Sequence, residues 1–224
     1  MKGPIEMAHK MLHNKKAVIF DLDGSLVDSM WMWRDIDIEF LEERGMTLPD
    51  DFQYKIEGMS FTETAEYSKQ RFGLDESVEE LKAIWNCMAL DKYSYEVDFK
   101  PGALSFLQYC KEHNIRLGIA TSNSRELVDA VSNALHLSDY IEAIVTSCEV
   151  KKGKPAPDVY LAAAERLRVD PMDCLVFEDV PAGIMAGKNA HMTVCGVEDA
   201  FSAELTEEKR RLADYYIRDY NEII

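Results

Sequence analysis

Hydrophobic and polar positions fall into blocks along the chain. A four-residue apolar run, Ala17-Val18-Ile19-Phe20, stops at Asp21-Leu22-Asp23-Gly24. Short apolar runs bounded by turn residues read as buried strands. The same texture returns at Ile115-Arg116-Leu117-Gly118-Ile119-Ala120, Ala143-Ile144-Val145, Cys174-Leu175-Val176-Phe177 and Met192-Thr193-Val194-Cys195. Between these runs the spacing turns helical. Pro101-Gly102 opens one helix, and Leu127, Val131 and Leu135 mark the next. A third runs from Pro157 to Arg168, and a fourth, of small residues, from Ala182 to Ala190. Strands alternating with helices imply parallel pairing with right-handed crossovers.

Residues 29 to 95 carry no such alternation. Trp33, Ile36, Phe40 and Leu41 recur at helical spacing up to Gly45. Ser60 with Glu63, and Ser77 with Glu80, fit the pattern in which a hydroxyl and a carboxylate three residues on start a helix. The Met30, Trp31 and Trp33 cluster reads as core, the commoner fate of apolar clusters. The chain therefore divides into an α/β core, residues 1–28 and 96–224, and a helical insertion, residues 29–95. Connectors near Asp28–Ser29 and Tyr95–Lys100 place the insertion beside the strand ends, where it can act as a lid.

Composition narrows the partners. A net charge of −16 over 224 residues speaks against nucleic acid, whose phosphates need clustered Lys and Arg. It leaves small phosphorylated substrates open, because a bound cation and one or two lysines set the local field. The five cysteines (Cys87, Cys110, Cys148, Cys174, Cys195) are scattered and odd in number, the usage of reduced thiols. No apolar run approaches the roughly 20 residues of a membrane span. Met1 to Lys15 has no continuous apolar stretch of the signal-peptide kind. The expectation is a cytoplasmic protein, monomeric or weakly oligomeric, without a membrane partner.

The chemistry gathers at strand ends, where open α/β sheets place their ligands. Asp21 and Asp23, one residue apart, raise each other's cost of ionisation and need a shared proton or a cation between them. An exposed acidic turn would have the same letters. Thr121-Ser122-Asn123 follows the second core strand, and a hydroxyl with free N–H groups there suits a phosphate oxyanion, although the same residues are ordinary helix caps. Lys154, before Pro155-Ala156-Pro157, offers an ammonium as a point donor to phosphate, or is a surface lysine at a turn. Glu178-Asp179 closes the fourth core strand, a second acidic pair whose oxygen ligands suit Mg²⁺.

Taken together and in order, these pieces resemble the haloacid dehalogenase-like hydrolase superfamily over roughly residues 16 to 200. The resemblance is carried by Ile19-Phe20-Asp21-Leu22-Asp23-Gly24-Ser25-Leu26-Val27-Asp28-Ser29, Gly153-Lys154-Pro155-Ala156-Pro157-Asp158 and Phe177-Glu178-Asp179-Val180-Pro181-Ala182-Gly183-Ile184. It is similar to the branch holding β-phosphoglucomutase and sugar-phosphate phosphatases. The fold class implied is α/β, a Rossmann-like parallel sheet core with an inserted α-helical cap domain. The resemblance makes Asp21 the nucleophile that forms an aspartyl-phosphate, and Asp23 the general acid and then base. It places Mg²⁺ on the Asp21 side chain, the Asp23 backbone carbonyl, Asp179 and Glu178. Thr121, Ser122, Asn123 and Lys154 would bind the phosphoryl group, and Gly58 in the cap would approach the substrate.

Two departures bear on the reaction. Trp33 falls where the mutase has a histidine, and the loop Glu57-Gly58-Met59-Ser60 lacks the mutase's arginine for a second phosphate. Both favour a Mg²⁺-dependent phosphatase acting on a sugar or nucleoside monophosphate, with a β-phosphoglucomutase-like enzyme as the alternative. A phospho-acceptor signalling domain uses a similar acidic site, but has neither the second aspartate nor the insertion.

Overall fold

The computed structural model describes residues 10–224. Residues 1–9, which fall within the expected core range and the Met1–Lys15 segment, lie outside the described residues. Among the described residues, a helical stretch over 10–12 leads to β1 (Ala17–Phe20) and then β2 (Val27–Asp28). Four helices follow, α1 (Met30–Glu42), α2 (Phe52–Ile56), α3 (Phe61–Phe72) and α4 (Val78–Tyr95). After β3 (Asp98–Phe99) come α5 (Ala103–Glu112), β4 (Arg116–Thr121), α6 (Arg125–Ala134) and β5 (Ala143–Thr146). The chain continues through α7 (Asp158–Leu167), β6 (Cys174–Glu178), α8 (Pro181–Asn189) and β7 (Thr193–Val197). It ends with α9 (Thr206–Leu212) and β8 (Tyr215–Ile217).

Six strands form one sheet in the order β5-β4-β1-β6-β7-β8, and every neighbouring pair is parallel. The α/β class and the inserted helices expected from the sequence are both present. β1 lies between β4 and β6 and is buried on both faces, because side chains alternate between the faces with period two. Val18 and Phe20 enter one core cluster with Phe106, Phe177 and Tyr220. Ala17 and Ile19 enter the other with Val159, Tyr160 and Ile184. Burying one such large side chain stabilises the fold by about 1.5–3 kcal/mol, and both faces of β1 contribute. Phe20 stacks on Phe177 with ring centroids 5.4 Å apart, which locks β1 to β6.

The helices between β2 and β3 have local reasons to start where they do. Ser60 accepts from the Glu63 N–H at 3.2 Å, and Glu63 accepts in return from the Ser60 N–H at 2.7 Å. Ser77 and Glu80 repeat the arrangement at the head of α4. Phe40, Phe61 and Trp85 meet edge to face at the centre of this block. The phase of α1 differs from the expectation. Met32, Ile36 and Phe40, four residues apart, face the core, while Met30 and Trp33 face a cavity. The aromatic cluster read as core is therefore split between core and cavity wall.

Other elements were not expected. The two connectors pair as an antiparallel ribbon, Val27 opposite Phe99 and Asp28 opposite Asp98. Two-residue strands carry too little pattern to be seen in a sequence. Strand β8 adds an edge to the sheet, and short 3₁₀ turns over Ala200–Leu205 lie between β7 and α9.

The insertion sits down on the core. Phe61 N–H donates to Ser122 O at 3.0 Å, and Ala182 N–H at the head of α8 donates to Glu57 at 3.1 Å. Gly58 lies in the seam at φ +76°, where an added Cβ would meet the Ala182 Cβ at 2.6 Å. The loop can dock this closely only as glycine.

Removing the head of α4 tests the local account. Ser77→Ala is expected to destabilise the protein by about 1 kcal/mol and to lower Tm by roughly 2–4 °C. Thermal denaturation followed by circular dichroism reads this out, and an unchanged Tm would show that the cap contributes nothing.

Candidate active site

All the parallel strands of the sheet release their chains at one edge, so residues distant in sequence converge there. Asp21 leaves β1, Thr121 ends β4, and Glu178 ends β6. The Asp21 N–H still bonds to Phe177 O at 2.9 Å, which holds its side chain beside the end of β6. Above this edge, a cavity of about 670 Å³ opens between sheet and insertion. Its floor includes Asp21, Asp23, Thr121, Ser122, Lys154 and Asp179. Asn123 and Gly58 also line it.

The floor is an ion cluster. Lys154 Nζ donates to Asp21 Oδ1 and to Glu178 Oε1, each at 2.5 Å, and all three side chains are buried. Glu178 lies behind the cavity wall and accepts further from the Tyr160 hydroxyl at 2.6 Å and the Asp179 N–H at 3.1 Å. Its geometry orients Lys154. Asp179 accepts from Ser25 Oγ at 3.0 Å. Gly24 turns at φ +78°, and a Cβ there would come within 2.4 Å of Asp179 Oδ2, so the turn after Asp23 must be glycine.

Burial sets the protonation balance. It pushes the Asp21 carboxyl up to about 8; Lys154 opposes the shift and Glu178 adds to it. Asp179 moves up for the same reason, reinforced by Asp21 and Glu178. Burial works against the Lys154 ammonium as well, but the Asp21 and Glu178 carboxylates outweigh it and raise its pKa. Burial also raises Asp23, against donors from Ser29, Tyr93 and Asn123.

One ammonium does not neutralise this many buried carboxylates. Asp21, Glu178 and Asp179 each offer an oxygen, all within 4.8 Å of one another. An all-oxygen, anionic donor set with a surplus of negative charge fits a hard divalent cation such as Mg²⁺.

The remaining expected residues are placed as follows. Thr121 Oγ1 accepts from the Asn123 N–H at 3.1 Å, and the Ser122 carbonyl receives Phe61 N–H from the insertion. The Asn123 side chain is turned to Asp23 and Tyr93. Several participants had no signal in the sequence. Tyr93 stands 70 positions from Asp23, yet its hydroxyl bonds to Asp23 Oδ1. Ser202 Oγ donates to Asp179 O at 2.9 Å and itself accepts from the buried Lys209 at 2.9 Å. Asp199, on the cavity wall, pairs with Lys100 at 2.5 Å.

Comparison with known proteins adds independent findings. Residues 18–197 match the family described as haloacid dehalogenase-like hydrolase. The chain is 32% identical over 197 residues to a bifunctional riboflavin kinase/FMN phosphatase of Arabidopsis thaliana, covering 86% of this chain and only 51% of that protein. It is 31% identical over 210 residues to a probable pseudouridine-5'-phosphatase of Drosophila melanogaster, covering 91% and 89% of the two chains. Among solved structures, a β-phosphoglucomutase from Clostridium difficile superposes with a TM-score of 0.78 at 26% identity, covering 94% of this chain and 93% of that one.

The raised carboxyls make the metal question testable by stability. A carboxyl whose pKa is raised on folding gives stability that is present below its unfolded pKa and lost as pH climbs to the folded value. For Asp21 the window runs from its ordinary 3.8 to about 8. In EDTA, Tm is expected to fall across that window. Mg²⁺ binds the ionised carboxylates, so its Tm gain should be larger near the top of the window than near the bottom. Differential scanning fluorimetry checks this, and a Mg²⁺ effect that shrinks with rising pH would contradict it.

Proposed function

The chain belongs to the haloacid dehalogenase-like hydrolases, and from that premise we propose that it is a Mg²⁺-dependent phosphatase of a small phosphorylated metabolite, working through an aspartyl-phosphate. The observation that carries this reading is the buried Asp21–Lys154 pair on the cavity floor, with Asp179 beside it. Phosphoryl transfer needs in-line positioning and charge stabilisation more than covalent variety, and a fixed carboxylate beside a buried ammonium supports that reading.

In the first half-reaction, Asp21 Oδ bonds to phosphorus as the bond from phosphorus to the leaving oxygen breaks. Asp23 gives its proton to that oxygen, so the alcohol departs neutral. In the second half-reaction, Asp23 takes a proton from water as the water oxygen bonds to phosphorus. The bond to Asp21 then breaks, inorganic phosphate leaves, and both aspartates return to their starting states. Lys154 holds Asp21 in place and offsets charge on the phosphoryl oxygens. Thr121 hydroxyl and the Ser122 N–H are the donors proposed for the remaining oxygens. Mg²⁺ would be held by Asp21, Asp179 and the Asp23 carbonyl, with Glu178 at its edge, and would supply the charge that keeps Asp21 ionised. Helices α1–α4 act as a cap that excludes water.

The cavity wall favours hydrolysis over mutase chemistry. Among the described residues, the basic ones on it are Lys154, already engaged on the floor, and Arg34. A bisphosphate intermediate would require a second anion clamp. The similarity to a β-phosphoglucomutase structure keeps a phosphosugar mutase as the alternative. Among the described residues, no helix is long and apolar enough to cross a membrane, and a cytoplasmic site of action is proposed.

Phosphate release from a panel of sugar and nucleoside monophosphates tests the reading. Release is expected with Mg²⁺, to be lost in EDTA, and to be abolished by Asp21→Asn. Asp23→Asn should slow release by about 10²–10⁴-fold while Mg²⁺ still raises Tm. Undiminished release by Asp21→Asn would end the covalent mechanism. Conversion of β-glucose 1-phosphate to the 6-phosphate, without free phosphate, would replace the phosphatase by the mutase.

A further inference from the structure

Asp23 is held by more than its place at a strand end. Ser29 Oγ reaches its Oδ1 at 2.5 Å, and the Tyr93 hydroxyl reaches the same oxygen. Asn123 Nδ2 reaches Oδ2 at 3.0 Å. The Tyr93 oxygen is itself contacted by Trp33 Nε1 at 3.0 Å and by Asn123 Nδ2 at 2.7 Å.

The direction of each proton in this network is fixed from its margins. An indole N–H can only donate, so Tyr93 accepts from Trp33. Asn123 Oδ1 accepts from the Ser124 N–H at 2.7 Å, so the atom facing Tyr93 and Asp23 is the amide nitrogen. Tyr93 therefore accepts twice, and its single proton has one destination, Asp23 Oδ1. With Ser29 also donating there, both lone-pair sites of Oδ1 are filled. Oδ2, with one donor, keeps a site free.

We propose that Tyr93, oriented by Trp33, is a positioning residue that turns the Asp23 carboxyl so that Oδ2 is the oxygen that exchanges protons with substrate and water. The proposal rests on the acid–base role given to Asp23 above. As the bond from phosphorus to the leaving oxygen breaks, that oxygen's electron pair takes the proton from Oδ2. In the second half-reaction, Oδ2 receives the proton of the attacking water. Tyr93 lies in the last turn of α4 and Trp33 in the first turn of α1, so the two ends of the insertion meet at this carboxyl. The orientation of Asp23 is thereby tied to the insertion's seating on the core.

A leaving-group comparison tests this. Phenyl phosphate and p-nitrophenyl phosphate have nearly the same shape, but nitrophenolate departs with little need of a proton. In single turnovers with enzyme in excess, Tyr93→Phe is expected to slow transfer from phenyl phosphate at least about tenfold more than from p-nitrophenyl phosphate. Trp33→Phe should show the same preference more weakly and add nothing in the Tyr93→Phe background, because it acts through the phenol. Equal slowing on both esters, or additive effects, would mean that the two side chains only pack, and would overturn the proposal. Should Tyr93→Phe not fold, the ratio for Trp33→Phe decides alone. A crystal structure of either variant gives a readout free of turnover. Asp23 should be rotated away from Ser29, and an unmoved carboxyl counts against the proposal. Failure of the wild-type enzyme to release phosphate from either ester would instead remove the phosphatase reading.

Discussion

The arrangement depends on one interaction, the Lys154 ammonium held between Asp21 and Glu178 below the protein surface. Removing one partner from a buried ion pair typically costs about 3–5 kcal/mol, because the other charge is left uncompensated. The surroundings accordingly hold the three groups in one geometry. Tyr160 from α7 fixes Glu178 from behind. The aromatic core of Phe20 and Phe177 keeps β1 and β6 in register, and that register sets the distance between Asp21 and Glu178. The hydrophobic core on one side of the sheet thus determines the electrostatics at its edge.

A buried cluster with excess negative charge is poorly stable alone, and its poor stability is what makes it useful. Two carboxyls shifted up by burial mark a place that favours incoming positive charge. A cation held there by Asp21, Glu178 and Asp179 would favour their ionised form and would turn the field toward an anionic substrate. The chain's net charge of −16 does not oppose this. At about 0.15 M ionic strength, exposed charges are screened beyond roughly 8 Å, while Lys154 acts from within the cavity floor.

How much of this the sequence disclosed follows from the range of each interaction. The apolar runs announced five of the six sheet strands, since buried strands need continuous hydrophobicity. The capping boxes at Ser60 and Ser77 announced two helices, being local hydrogen-bond patterns within four residues. Asp21, Asp23, Thr121 and Asp179 announced themselves by standing at or just past strand ends, and Lys154 by its place before Pro155-Ala156-Pro157; the cavity brings them together. Edge strand β8 and the β2–β3 ribbon are short, and short elements owe their existence to partners. Tyr93, Tyr160 and Ser202 gave no signal because their roles are set by residues far away in the chain. A tyrosine on a helix looks the same whether it meets solvent or a buried carboxyl. Glu178 was legible as an acid, but its main tie, to Lys154 and Tyr160, appeared only in three dimensions.

The insertion's contacts suggest why long-range residues surround Asp23 in particular. The Asp21 backbone is held by the sheet and its side chain by Lys154, with no bond to the inserted helices among the described residues. Asp23 lies two residues further on, past the Asp21 N–H bond to β6, in a turn closed by its own backbone bonds. Its orientation must come from side chains, and the helices closing over the cavity are the nearest rigid source. Ser29 at the start of α1, Trp33 within it and Tyr93 at the end of α4 meet that need together. The proposed acid–base role asks the same oxygen to serve both steps, and the donors gathered on Oδ1 leave Oδ2 for it. Glu57 and Phe61 dock the same insertion on the core through backbone N–H bonds. Seating the insertion and orienting the Asp23 carboxyl are therefore two results of one set of contacts.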